Sequence, residues 1–294
     1  MFDGIVGHVI AETLVLGTLY AVVGVGFVIL FRSTGIVNFA QGTFMVLGAY
    51  VFYTLYVEAH QGFLVSLVVA LVAITLLGAV VNTLLFRRLI GADLFIVVVA
   101  TMGLSLTLQT VALIIWGPDV RVLPHILPSE TVVQPLGIPF NRLDLLTIAA
   151  GVVLVGTLIL VLRRSRLGLA MRAVADSTLL AALQRVNVPF YSGLAWAISG
   201  LCSALAGVAL AMRTAVDPTN ISSLGLLIFP VVIIGGVDSI GGALVGGLIV
   251  AVIQELTNLY LGGSWVNPIA YGLLLLMLLV KPRGLFGSQE IVRV

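Results

Sequence analysis

The sequence predicts an all-α integral membrane protein: a polytopic helical bundle of about nine transmembrane or re-entrant segments, with the N-terminus outside and the C-terminus inside. Three observations carry that prediction. The 294-residue chain is 61% hydrophobic and only 9% charged, with a mean hydropathy of +1.24, so it cannot clothe a water-soluble globule in polar side chains. Its apolar residues gather in runs close to the ~20 residues that a helix needs to cross a bilayer core of about 30 Å. Its Lys and Arg, 14 in all, collect on alternate loops.

Taken in order, the runs place spans near residues 12–31, 36–57, 63–86, 94–116, 144–162, 190–212, 221–237, 242–261 and 265–280. Asp3 and Glu12 precede the first basic residue, Arg32, which is the wrong charge pattern for a cleaved signal peptide, so the first span is expected to be retained. The second span opens on STGIVNFAQG, residues 33–42, which sets Ser, Thr, Asn, Gln and two Gly at the mouth of an apolar helix. The loop 117–143 holds Pro118, Pro124, Pro128, Pro135 and Pro139, which preclude a continuous helix and favour extended or turn structure. On the sixth span Gly200 with Ala204, and Gly207 with Ala211, form small-residue ridges, and Gly242 with Gly246 forms a GxxxG on the eighth; such ridges let backbones approach closely. The seventh span is short, contains Pro230 and ends in Gly235-Gly236, which marks it as a broken helix.

The loop 163–189 reads RRSRLGLAMRAVADSTLLAALQRVNVP. Asp176 or Ser177 can cap a short helix whose Leu179, Leu180, Leu183 and Val186 recur at helical spacing, with Pro189 closing the segment. A helix outside the membrane with such a face either rests on lipid or inserts into a cytoplasmic partner. With the N-terminus outside and these spans, Arg121, Arg142 and Arg213 fall outside and the other basic residues inside, as positive loops require.

The chain lacks the parts of an enzyme: no GxSxG, no HExxH and no acidic cluster for a metal. Cys202 is its only cysteine, and His8, His60 and His125 are far apart. The charge pattern does not suit nucleic acid. Lys281, the only lysine, sits in LLVKPRG, so the chain has no P-loop for ATP. Glu12 and Asp144 lie at span edges and only Glu255 lies deeper, which supports ion coupling poorly.

Five stretches, LGTLYAVVGVGFVILFRSTGIVNFAQGTFMVLGAY (16–50), TMGLSLTLQ (101–109), RRSRLGLAMRAVADSTLLAALQRVNV (163–188), VIIGGVDSIGGALVGG (232–247) and KPRGLFG (281–287), resemble in order the permease subunits of bacterial branched-chain amino acid ABC importers of the LivH type. The resemblance implies a single transmembrane permease domain over residues 1–294, with pseudo-symmetric halves, in the bacterial cytoplasmic (inner) membrane. It also implies a second, homologous permease subunit, two cytoplasmic ATPase subunits, an extracytoplasmic substrate-binding protein, and alternating access driven by the ATPases. No cofactor is expected on this chain. By the family's pattern the stretch Arg172 to Val188 looks like the coupling helix that docks into the ATPase, with Arg172, Asp176, Leu179, Leu180, Leu183 and Arg185 as its contact residues. The chain departs from the pattern twice: Gln41 stands where His is common, and Arg185 where Gly is common. Close relatives also move urea, short amides or aromatic acids, so the solute stays open between these and a hydrophobic amino acid.

Paired irregular segments in two halves point to a path between them. On this basis Asn38, Gln41, Ser105, Gly235 and Gly236 are candidates to line or gate the path near its cytoplasmic half, Asn38 and Gln41 sharing one helical face. The alternative is that Asn38 only caps the second span while Gln41 bonds a neighbouring helix.

Overall fold

The computed structural model describes residues 2–124, 131–133, 138–217, 221 and 225–287. The first apolar run becomes α1, Phe2–Thr34, longer at its N-terminal end than expected. Gly35, at φ +69°, takes the left-handed turn that ends it, and its N–H bonds the Phe31 carbonyl at 2.7 Å, as helix C-termini commonly do. Residues 35–38 are not helical. The second helix, α2, starts only at Gln41 and runs to Tyr53, continued by a π-helical turn, Thr54–Glu58. The expected start near residue 36 is therefore corrected. Ile36 and Ala40 are buried, and apolar composition alone does not separate a buried irregular segment from a helix.

Helix α3 spans Phe63–Leu84 and leads through a 3₁₀ turn, Phe86–Leu89, to α4, Leu94–Trp116, the run predicted. Asp93 starts α4 by accepting the Phe95 N–H at 2.8 Å, a standard N-cap. In the proline-rich loop, strand β1, Thr131–Val133, pairs antiparallel with β2, Phe140–Asn141, while residues 125–130 and 134–137 of that loop lie outside the described residues. Helix α5, Arg142–Arg164, opens with Asp144 accepting the Asn141 N–H at 3.0 Å, one half of a capping box.

The basic loop forms two helices, α6, Arg166–Asp176, and α7, Thr178–Leu183. The stretch Arg172 to Val188 is thus not one helix but is broken at Ser177. Pro189 does not close it either: it sits in the first turn of α8, Val188–Arg213, where its missing N–H costs nothing. Of the predicted seventh span, α9 covers Ile228–Gly235, about 12 Å at 1.5 Å per residue, and residues 218–220 and 222–224 lie outside the described residues. Helix α10 spans Ile240–Leu261. A 3₁₀ turn, Gly263–Trp265, then enters α11, Val266–Val280.

Among the described residues seven helices are long and apolar enough to cross a membrane, so the chain is a multi-pass, all-α membrane protein. The two predicted spans outside that seven are α2 with its π turn and the short α9.

The chain divides into two compact units, one made of Met1–Val28, Leu127–Val152 and Leu227–Val294, the other of Ile29–Ile126 and Val153–Leu226. In the second unit α8 packs on both α2 and α3, and glycine sets the spacing. A Cβ on Gly200 would lie 2.6 Å from the Ile74 carbonyl oxygen, one on Gly48 would lie 2.8 Å from the Ala204 Cα, and one on Gly207 would overlap the Met45 carbonyl. Phe86 stacks on Trp196 with ring centroids 4.5 Å apart. In the first unit α10 carries the corresponding ridge: Gly242 and Gly246 lie against the backbone of α9 at Gly235 and Val231, and a Cβ on Gly247 would come 2.9 Å from the Ala21 nitrogen of α1. Tyr20 there donates to the Gln254 Oε1 at 2.6 Å. Both predicted small-residue ridges are therefore packing surfaces.

Candidate functional site

The polar residues of STGIVNFAQG hold an irregular piece of backbone inside the second unit. Non-helical backbone at membrane depth survives only if its polar groups find partners within the protein. The Ile36 N–H reaches the Thr34 hydroxyl at 3.2 Å, the Val37 carbonyl accepts from Thr101 Oγ1 at 3.0 Å, and the Ala40 N–H reaches Asn38 Oδ1 at 3.0 Å. Asn38 turns the chain and is not the cap of α2, which begins after Ala40 without a side-chain cap.

Asn38 Nδ2 also donates to Gln41 Oε1 at 3.1 Å, and that oxygen accepts a second bond from Ser199 Oγ of α8 at 2.7 Å. Gln41 therefore does bond a neighbouring helix. Both amides are buried, Asn38 at 0% and Gln41 at 1% exposure, while Gln41 Nε2 and Trp196 Nε1 are buried donors without a partner among the described residues. Two residues along α2, on another face of the helix, Thr43 Oγ1 and Ser105 Oγ lie 2.8 Å apart. The structure thus brings Asn38, Gln41 and Ser105 into one unit, and adds Thr43, Thr101 and Ser199, which the sequence reading had not singled out. The available signal was Ser199 with Ser203, two hydroxyls one turn apart in the Ala- and Gly-rich run of α8. Gly235 and Gly236 belong to the other unit, where they end α9. Glu255 is half-buried beside Gln254.

The coupling candidates divide between two helices. Arg172 turns back and donates to the Leu162 carbonyl at the end of α5, at 2.5 Å, the kind of contact a basic residue makes with the last carbonyls of a helix. Asp176 is exposed at the end of α6. Of the two capping candidates it is Ser177 that starts α7, its Oγ accepting the Leu180 N–H at 3.2 Å. Leu179, Leu180 and Leu183 are 70%, 61% and 72% exposed, so this short helix presents three leucines that the described residues do not cover.

Helix α7 closes as a Schellman motif: the Val186 N–H bonds the Ala181 carbonyl at 3.0 Å and the Arg185 N–H the Ala182 carbonyl at 3.0 Å. That motif needs a left-handed residue, and Arg185 supplies it at φ +62°, where a side chain costs roughly 1–2 kcal/mol that glycine avoids. Arg185 thus keeps the turn and adds an exposed cation to it. An Arg185→Gly chain is expected to gain about 1 kcal/mol in the local stability of α7, read as slower amide exchange at Gln184 to Val186; unchanged or faster exchange refutes it.

The sequence profile of the family described as "Branched-chain amino acid transport system / permease component" matches residues 9–280. The high-affinity branched-chain amino acid transport system permease protein BraD of Pseudomonas aeruginosa is 27% identical over 293 residues, covering 96% of this chain and 95% of that protein. LivH of Escherichia coli, with the same description, is 28% identical over 298 residues, covering 95% and 94%. A probable permease of this kind from Methanocaldococcus jannaschii is 25% identical, covering 95% and 92%. Among solved structures, PsaBC from Streptococcus pneumoniae in complex with Fab has a similar fold, with a TM-score of 0.50 at 16% identity over 94% of this chain and 93% of that one.

Proposed function

This chain belongs to the branched-chain amino acid transport permease family, and on that premise we propose that it is one transmembrane subunit of an ATP-binding-cassette importer, carrying branched-chain or other hydrophobic amino acids by alternating access. A second, homologous permease, two cytoplasmic ATPase subunits and an extracytoplasmic binding protein complete the assembly in the bacterial inner membrane, with this chain oriented N-out and C-in. The family match over residues 9–280 carries the reading. The exposed leucines of α7 support it, because they are the apolar knob that an ATPase groove would cover. The lack of a P-loop agrees with ATP hydrolysis on partner chains.

Path residues are proposed in each unit: Asn38, Gln41 and Ser105 in one, Gly235 and Gly236 in the other. Arg172, Asp176 and Arg185 flank the α7 leucines in the proposed coupling segment. Because Gln41 replaces the family's common His with a neutral amide, an importer of urea, short amides or aromatic acids is the second reading.

Reconstitution with the partner subunits, measuring ATPase stimulation by binding protein loaded with each candidate solute, selects among them. Uptake that persists without the ATPases would instead support an ion-coupled carrier. In the same system Asn38→Ala combined with Gln41→Ala is expected to cut uptake by about tenfold, the equivalent of about 1.4 kcal/mol, with assembly intact. Normal uptake by that double variant sinks the path assignment.

A further inference from the structure

Helix α9 is too short to satisfy its own backbone. An α-helix leaves its last four carbonyls without intrahelical partners, and at membrane depth each must be met by protein. The Gly236 N–H meets the Val232 carbonyl at 2.8 Å, and the C-terminal segment that leaves α11 meets two more. The Leu285 N–H bonds the Ile234 carbonyl at 2.8 Å, and the Phe286 N–H bonds the Gly235 carbonyl at 2.9 Å. A turn at 281–284, closed by the Gly284 N–H on the Lys281 carbonyl at 2.8 Å, brings the segment across, and Lys281 Nζ bonds the Leu285 carbonyl at 3.1 Å.

Glycines make the approach possible from both sides. A Cβ on Gly284 would lie 2.5 Å from the Ile233 carbonyl oxygen, and one on Gly236 would lie 2.6 Å from the Gly287 nitrogen. Gly236 also sits at φ +114°, a conformation that L side chains rarely adopt. The side chains contribute less: Leu285 and Phe286 are 40% and 54% exposed. The contact is one of backbone on backbone, and it joins two stretches, VIIGG and KPRGLFG, that are far apart in sequence.

We propose that residues 281–287 are a positioning strap, which caps the Ile234 and Gly235 carbonyls of α9 and ties its Gly235-Gly236 end to α11, so that the two move as one body during transport. This rests on the permease reading, since it gives α9 a part in the transport cycle. The strap acts through α9 and touches no solute.

The test uses the full reconstituted complex and reads solute taken up per ATP hydrolysed, a ratio that a loss of stability alone does not move. Phe286→Pro deletes the donor to the Gly235 carbonyl, whereas Phe286→Ala keeps the donor and removes only the exposed ring. Phe286→Pro is expected to lower the ratio by about tenfold, on the scale of one lost buried hydrogen bond, while Phe286→Ala stays at the wild-type ratio. Equal ratios in the two variants overturn the proposal. Amide exchange in the wild-type complex gives a second measurement that needs no variant to assemble: Leu285 and Phe286 should be protected, and exchange as fast as in an unstructured peptide overturns the strap. A wild-type complex that hydrolyses ATP and imports no solute refutes the permease reading instead, leaving the exchange result to judge the strap.

Discussion

A Leu183→Asp chain, purified with the ATPase subunits proposed as its partners, is expected to come away without them. Leu183 is 72% exposed on a six-residue helix that its own Ser177 caps and a Schellman turn closes, so the substitution leaves the permease's own packing untouched. On the proposed docking the same position would enter an apolar groove of the ATPase, where a carboxylate must shed its hydration without an opposite charge. Losing a central apolar anchor costs about 2 kcal/mol or more, a fall in affinity of roughly 30-fold, before the buried charge is counted. Leu180→Asp acts in the same way. Undiminished co-purification of the ATPases with either variant rules out the docking role of α7.

The largest loss of stability is expected from Gly207→Val. A branched side chain there meets the Met45 carbonyl, which is backbone on a packed helix and has no rotamer to escape into. Overpacking a well-filled core costs about 1–3 kcal/mol even when side chains can shift, so a backbone clash between α2 and α8 exceeds that range and removes the second unit from the folded fraction. The control is a glycine in open space. Gly103 of α4 and Gly156 of α5 have nothing near an added Cβ, and alanine at either is favoured in a helix by about 1 kcal/mol. Thermal unfolding in detergent checks both arms, and a Gly207→Val chain that melts with the wild type would show that α2 and α8 are not in backbone contact.

What the sequence makes legible follows from the range of the forces involved. Helix α4 matches its predicted span because a long apolar run begins directly after the capping residue Asp93 and ends at Gly117, and these are local signals. The start of α2 is not local. Ile36, Val37, Phe39 and Ala40 are apolar whether helical or not, and what holds their irregular backbone is the Thr101 hydroxyl on the Val37 carbonyl, a contact across 64 residues. The bond between Gln41 and Ser199 spans 158 residues, so Gln41 stands out in the sequence while its partner looks like one more small residue in α8. Pro230 and Gly235-Gly236 announce a broken helix, but nothing near them says that the KPRGLFG segment closes its end. The left-handed turn at Arg185 is hidden for a different reason: the residue that marks such turns, glycine, is absent there.

The polar contacts that join Asn38, Gln41, Thr43, Thr101, Ser105 and Ser199 lie between neutral groups. α2, Gln41–Tyr53, α3, Phe63–Leu84, and α4, Leu94–Trp116, contain no Asp, Glu, Lys or Arg, and α8 has only Arg213, at its end. A voltage sensor works because each charge that crosses the bilayer gains about 2.3 kcal/mol per 100 mV. Apart from Arg213 at the end of α8, these four helices carry no such charge, so shifting them across the membrane field moves no other charged side chain. In the proposed transport cycle the membrane potential therefore finds little side-chain charge on these helices to act on, and the work of shifting them is done against packing.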